Sequence, residues 1–278
     1  MIRLIIDTYH MGSWNMACDL AISKHVGKGV QPTTIRLYGW TLPTLSFVQP
    51  TTIRLYGWTL PTLSLGKFQK LEDIDFEYLK NNNIDIVRRP TGGRAVLHHK
   101  EITYLFSAPT NHPLLPKSVI GSYKVIAEAL IKSLKYLNIN CDVEKNKKKH
   151  LNTPACYDSP SIYEITIDKK KFIGSAQYRN EHYILQHGAI PIEFPLKNYV
   201  NCFKMPSEKK EKLFNHLKNK VIDIKSILNR NISFDEMAKA IKKGFSDVFN
   251  EEVVIGEYSH SECELAKKLV ERFEFEDL

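Results

Sequence analysis

A chain of 278 residues, 43% apolar and 25% charged, is long enough to bury a large core, as one big domain or one plus a small appendage. No apolar run reaches the eighteen or so residues of a membrane helix, and the start MIRLIIDTYH lacks the basic, apolar and cleavage regions of a signal peptide, so a cytoplasmic protein with no membrane role is expected. The net charge of +8 fits an acidic partner, whether nucleic acid, a membrane surface or an acidic protein, and does not choose among them.

In chain order, GSWNMACDLAISKHV (12–26) spaces Met16, Leu20 and Ile22 as an amphipathic helix would. VQPTTIRLYGWTLPTLS then occurs twice, letter for letter, at 30–46 and 48–64. Two identical copies do not make a solenoid, whose units diverge and number at least three, so one copy is surplus to the fold. TTIRLYGW reads as a strand in either copy. Only the second copy continues into LGKFQ (65–69).

DIDFEYLKNN reads as a short helix, and RAVLHH and EITYLFSAP as strands joined by a tight turn at His99 and Lys100; SYKVIAEALIKSLKYLNI (122–139) is a strong helix. EKNKKKH (144–150) reads as a loop. SIYEITI, KFIGSAQY and HYILQHGAIPI, separated only by DKK and RNE, spell adjacent antiparallel strands. SEKKEKLFNHLKNK (207–220) is a helix with a solvated face, Ser233 caps FDEMAKAIKKGFSDVF, and SHSECELAKKLVERF is the last helix. Local meanders plus helices predict an α+β fold, with a mixed, largely antiparallel central sheet flanked by helices. No Pro/Gly/Ser-rich linker divides the chain, so a single domain is expected, with its core at about 28–250 and a helical extension at 251–278.

Three segments can carry chemistry. RRPTGGR (88–94) sets Gly92 and Gly93 between Arg88, Arg89 and Arg94; paired glycines let a ligand approach backbone N–H groups, although a plain turn has the same letters, and neither a Walker loop nor GxGxxG is present. Gly174, Ser175 and Ala176 are small residues inside a strand pattern, marking a bulge, a ligand passing close to the backbone, or tight strand packing.

The third is the thiol chemistry. Five scattered cysteines, Cys18, Cys141, Cys156, Cys202 and Cys263, are odd in number and form no CxxC pair, which argues against a disulfide framework or a metal site and leaves room for a reactive thiol. Cys156, in PACYDSP, has a loop context, and Lys171 on a following strand could hold its thiolate by charge; burial as a small core residue is the other reading. Cys202 is the rival nucleophile, with core-like neighbours Tyr199, Val200 and Phe203. His187, His98 and His99 are candidates for acid–base work or for structural hydrogen bonds.

Taken in order, NMACDLAI, RLYGW, RRPTGGRAVLHHKEITY, ACYDSPSIYEITIDKKKFIGSAQ and LQHGAIPI resemble the lipoate–protein ligase and octanoyltransferase family, with the nearest likeness to its LipM-type octanoyltransferases, over nearly the whole chain. The resemblance implies the catalytic-domain fold of biotin and lipoyl protein ligases; relatives carry the segment from RLYGW to LGKFQ once, which implies that 51–64 lies in the sheet and that 30–47 is an excursion. It also implies transfer of an octanoyl group from octanoyl-acyl carrier protein to a lysine of a lipoyl carrier domain, such as the glycine-cleavage H protein, with no cofactor. Cys156 matches the acyl-accepting cysteine and Lys171 the lysine that lowers its pKa. Substrate would be held by Arg89, Thr91, Gly92, Gly93, Arg94, His98, Gly174, Ser175, Ala176, His187, Gly188 and Ala189. The sister ATP-dependent lipoate ligases share the arginine–glycine segment and the lysine, and are the alternative. A basic nucleic-acid binder is the third reading; it needs aromatics among the lysines, and EKNKKKH has none, so no nucleic-acid partner is expected.

Overall fold

The computed structural model describes residues 1–7, 10–39, 60–145 and 163–275. In chain order its elements are β1 (Ile2–Ile6), α1 (Gly12–Gly27), β2 (Thr34–Gly39), β3 (Thr62–Leu65), α2 (Phe76–Asn81), β4 (Asp85–Arg88), β5 (Val96–His98), β6 (Glu101–Pro109), α3 (Val119–Lys135) and β7 (Asp142–Lys145). There follow β8 (Tyr163–Ile167), β9 (Lys170–Arg179), β10 (Tyr183–Pro191), α4 (Leu196–Asn201), α5 (Ser207–Lys218), α6 (Ile224–Leu228), α7 (Phe234–Phe249), β11 (Val253–Ile255) and α8 (His260–Leu269), then a 3₁₀ turn at Val270–Phe273.

Eight strands form the main sheet in the order β11-β1-β2-β6-β10-β9-β8-β7. β1 is parallel to β11 and β2, and the remaining neighbours are antiparallel, as the meander pattern predicts. Tight connections set that half. Asp168 and Lys169 both take positive φ, 49° and 62°, the conformation whose twist matches a two-residue hairpin. At the next turn the Asn180 side chain accepts from the backbone N–H of His182 and of Tyr183.

The turn at His99–Lys100 is also present, with Lys100 at φ 49°, but its two strands part company. β5 pairs with β3 in a small sheet of order β4-β3-β5, whereas β6 enters the main sheet between β2 and β10. One turn therefore ties the two sheets together.

Strand alternation sends successive side chains of β6 to opposite faces. Tyr104 and Phe106 join residues of α3 and α7 in one cluster, and Leu105 joins α1 in another, so ITYLF is buried throughout because both faces are covered. α1 is buried on nearly every side, since the sheet covers one face and α8 with the 3₁₀ turn cover the other. Ser233 caps α7 as expected, in a reciprocal pair with Glu236. The region 251–278, expected to be helical only, also supplies the edge strand β11, and Glu262 of α8 accepts from Arg3 of β1 at 2.6 and 2.9 Å.

The repeat is placed differently from the expectation that 30–47 loops out. β2 comes from the first copy: Ile35 and Leu37 are buried in the main sheet, paired with β1 and β6. Ile53 and Leu55 of the second copy lie outside the described residues. The second copy contributes Thr62–Leu65 as β3. Identical letters cannot choose between copies; the connections do. The first copy is joined to α1 by a short link, and the second runs directly into the segment before Arg88, so the surplus falls between them. Removing residues 40–57 restores a single copy and shortens the β2–β3 link from twenty-two residues to four. With all described contacts retained, this deletion should fold and gain about 1 kcal/mol from the shorter closure. Thermal unfolding followed by circular dichroism checks it; loss of the folded state would mean that 40–57 contributes to the core.

Candidate active site

Three pieces of backbone enclose a cavity of about 280 Å³: the loop between β4 and β5, the middle of β9 and the middle of β10. The register pairs Gly174 with Ala189, Ser175 with Gly188 and Ala176 with His187, so two separate sequence motifs become one wall. Pairing of β9 with β8 ends at Ile173, which leaves the small residues of β9 beyond that ladder. Arg89, Gly92, Gly93, His98, Lys171, Gly174, Ser175, Ala176, His187, Gly188 and Ala189 line the cavity. Thr91 and Arg94 are one step behind the lining. Cys156 lies outside the described residues.

Arg89 organises the loop. Its Nη2 donates to the carbonyls of Gly92 and Arg94, both at 2.8 Å, its Nη1 to the Ser64 carbonyl at 2.8 Å and hydroxyl at 3.2 Å, and its Nε to the Thr91 hydroxyl at 3.1 Å. A buried guanidinium with all its N–H groups used on its own loop and on β3 is a scaffold; it offers a ligand charge but no donor.

Both hydroxyls that Arg89 holds lead to a histidine and then to a carboxylate. Thr91 Oγ1 is 2.7 Å from His187 Nε2, and His187 Nδ1 is 3.0 Å from Asp19. Ser64 Oγ is 2.7 Å from His98 Nε2, and His98 Nδ1 is 2.6 Å from Glu101, which also accepts from Thr103. In the tautomer whose Nδ1–H faces the carboxylate, each Nε2 accepts from the hydroxyl, whose oxygen accepts from Arg89. Burial pulls the His187 pKa below its usual value, against the pull of Asp19, so the neutral ring is the favoured form. The hydroxyl–histidine–carboxylate order has the outline of a nucleophilic triad. Ser64, however, is only 1% exposed and its oxygen is bound to Arg89, so both chains brace the cavity wall. His99 lies outside the lining, its pKa lowered by burial and by Lys100.

Lys171 is buried, and its ammonium is 2.8 Å from Glu164. Ser175 shares a hydrogen bond of 2.8 Å with Tyr104, whose hydroxyl is pushed up to about 12 by burial; Gln186 donates to the same oxygen, and Gln177 to Gln186.

Several of these residues were not legible as site residues: Met16, Ser64, Val96, Thr103 and Gln177 in the lining, and Asp19, Glu101 and Glu164 behind it. For Glu164 there was a signal. Hairpin counting from Asp168–Lys169 pairs Lys171 with Thr166, and Glu164 is two residues along on the same face, within reach of a long side chain.

Gly66 is a further residue not legible as part of the site. A Cβ there would lie 1.8 Å from the Gly93 carbonyl oxygen, and Gly93 itself has φ 92°, which favours glycine. Gly66→Ala must displace the Gly92–Gly93 turn. We expect destabilisation of about 1–3 kcal/mol and a clear fall in kcat/KM, read from Tm and steady-state kinetics. An unchanged kcat/KM would show that this turn has no part in the site. Gly188 is under the same constraint, with an added Cβ 2.6 Å from the Gly174 carbonyl.

The described cysteines have other duties. Cys202, the rival nucleophile, is buried, with its thiol 3.2 Å from the Asn198 carbonyl and its pKa pushed far up by burial. Burial likewise raises Cys18, Cys141 (to about 12) and Cys263, and none of the four lines the cavity.

A two-sheet α+β fold with a glycine-rich turn, a buried lysine and small strand residues around one cavity defines a class, and residues 11–246 match the family described as Lipoyl protein ligase A/B catalytic domain; the chain belongs to that family. Among its relatives, the octanoyltransferase LipM of Geobacillus kaustophilus (strain HTA426) is 38% identical over 257 residues, spanning 89% of this chain and 86% of the relative. That of Carboxydothermus hydrogenoformans (strain ATCC BAA-161 / DSM 6008 / Z-2901) is 40% identical over 270 residues, spanning 96% and 94%. Two solved structures share the fold at 20% identity. Lipoate-protein ligase A bound with ATP gives a TM-score of 0.74 and covers 97% of this chain and 94% of its own. The bi-partite lipoate protein ligase of Thermoplasma acidophilum gives 0.72, with 97% and 92% covered. Among the described residues no helix is long and apolar enough to cross a membrane, and no cluster of His, Cys, Asp or Glu could hold a metal ion.

Proposed function

We propose that this chain is an octanoyltransferase of lipoate assembly, taking the octanoyl group of octanoyl-acyl carrier protein onto Cys156 and passing it to a lysine of a lipoyl carrier domain, such as the glycine-cleavage H protein. The observation that carries this proposal is the convergence of Lys171, the Gly92–Gly93 turn and the Gly174–Ala176 strand on one cavity, in a chain 38–40% identical to octanoyltransferases. The four described thiols are raised by burial and lie away from that cavity, which supports Cys156 as the nucleophile by elimination.

The chemistry balances without ATP. The Cys156 thiolate attacks the donor carbonyl, a new C–S bond forms, and the carrier thiolate leaves. A neutral lysine amine then attacks the acyl-cysteine, the C–N bond forms, the Cys156 thiolate departs and the amine proton goes to solvent or a base. The first exchange is between thioesters and nearly balanced, and the second yields an amide and runs downhill. Backbone N–H groups of the Gly92–Gly93 turn, or of β9 beyond the β8 ladder, are the candidates for holding the oxyanion of each tetrahedral intermediate. The cavity is at the small end for ligand pockets, in keeping with one medium acyl chain.

The test is mass spectrometry after incubation with octanoyl-acyl carrier protein without nucleotide. An octanoyl adduct on the peptide containing Cys156, chased onto a lipoyl carrier domain, is expected. Acylation of the carrier domain that needs free octanoate plus ATP, with no adduct on the enzyme, would assign the chain to the ligases.

A further inference from the structure

We infer that a second cavity, beside the first, seats the phosphate of the pantetheine arm that presents the thioester; the inference rests on the octanoyl-transfer proposal. This cavity, of about 460 Å³, is walled by Lys24 of α1, Lys67 after β3, Arg88 at the end of β4 and Arg89 just after it, and Arg272 of the 3₁₀ turn, with Tyr178 of β9. No carboxylate occurs among its described lining residues. Among the described residues some basic side chains elsewhere are paired with acids, as Lys210 is with Asp75, Lys225 with Glu193, Lys239 with Asp235 and Lys267 with Glu264, and others stand alone on the surface; what sets this group apart is its gathering in one concavity. Lys24, Lys67, Arg88 and Arg272 make no ion pair among the described residues. Like charges gathered in a concavity repel one another and raise the local potential, and an anion relieves that repulsion.

The donors have divided roles. Arg89 spends its N–H groups on its own loop and on Ser64 of β3, and Arg88 Nη1 is fixed by the carbonyls of Gly66 and Gln69, at 2.9 and 2.8 Å, so both contribute charge from a rigid wall. The Lys67 ammonium lies 5.6 Å over the Tyr178 ring, and with Lys24 and Arg272 it forms the adjustable part. Ammonium and guanidinium groups around a concave seat are what a phosphate ester calls for.

The two cavities are the right distance apart for one arm. They share Arg89, and along β9 Gln177 lines the first and Tyr178 the second. On β10 Tyr183 lines the basic cavity and His187 the acyl cavity, four residues or roughly 13 Å at strand rise. An extended arm with two amide bonds between thioester and phosphate spans roughly 15 Å by peptide-like bond geometry.

The experiment compares octanoyl-4′-phosphopantetheine with octanoyl-pantetheine as acyl donors at low salt, for the full-length parent, the double variant Lys24→Ala/Arg272→Ala, and Lys67→Ala. The parent should prefer the phosphorylated donor about tenfold or more in kcat/KM. The double variant, and independently Lys67→Ala, should lose most of that preference while transfer from octanoyl-pantetheine is unchanged. Equal use of both donors by the parent, or a preference that survives in the variants, overturns the phosphate seat and leaves octanoyl transfer standing. No transfer from either donor, or from octanoyl-acyl carrier protein, overturns both. ATP that binds the parent but not the variants, with no preference between donors, would reassign the cavity to a nucleotide phosphate and overturn the inference.

Discussion

Arg36→Met is expected to destabilise the protein by about 3–5 kcal/mol, while the same change at Arg54, its counterpart in the second copy of the repeat, leaves Tm unchanged. Arg36 is fully buried between β2 and α1. It donates to Asp7 at 2.8 Å, to Asp19 at 2.7 Å, and to the Asn15 side chain and backbone carbonyls at 2.5 and 3.3 Å. Without the guanidinium, two buried carboxylates lose their cation, and the cost is that of buried charge left unpaired. Asp19 also orients His187, so damage at β2 reaches the cavity through two contacts.

The same pair sets a pH signature. Burial alone would raise the Asp7 pKa, but the charge of Arg36, assisted by His10 and a hydrogen bond from Tyr258, holds it well below the usual carboxylate range. A depressed folded-state value contributes stability above the unfolded carboxylate pKa of about 3.9, and that contribution is lost as pH falls through and below it. In Arg36→Met burial acts unopposed by Arg36, so the penalty should be largest near neutral pH and shrink in acid. Urea unfolding of the parent and both variants at pH 7 and pH 4 checks this. Equal effects at Arg36 and Arg54, or a penalty that grows in acid, would show that Arg36 does not fill this slot.

The parts of the fold that could be read from sequence are those whose cause is local. The β8–β9–β10 meander is written in DKK and RNE, and α7 in its capping box, because turn and cap chemistry act over a few residues. β1, β3, β4 and β11 went unread: each has three to five residues, and each is defined by parallel or long-range partners that no local pattern announces. α1 read as amphipathic although both its faces are covered, since its polar residues Asn15 and Asp19 are turned inward to a buried arginine. At the site, the glycine turn and the small strand residues were legible as types, and the register of β9 on β10 explains why they meet. Which histidine nitrogen faces which partner was not, because a histidine carries no sequence mark for the hydroxyl and carboxylate that come to it from distant strands.

Cys156→Ser should abolish most acyl transfer, on the order of 10³-fold or more, because a hydroxyl has a far higher pKa than a thiol and a neighbouring ammonium cannot ionise it. Lys171→Ala should behave differently. If the Lys171 charge holds the thiolate, its loss should move the alkylation profile of Cys156 with iodoacetamide to higher pH by about 1–3 units, with acylation partly recovering there. The structure adds a third variant to this series. The Lys171 ammonium is 2.8 Å from Glu164, so on the proposed mechanism a Cys156 thiolate would compete with a carboxylate for one ammonium. Glu164→Gln removes the competitor and should move the profile to lower pH, opposite in sign to Lys171→Ala. Superimposable profiles for parent and Lys171→Ala would reject the electrostatic role. A rise for Glu164→Gln would mean that the carboxylate acts chiefly by keeping Lys171 in place, so that the pair, and not the lysine alone, prepares the thiol.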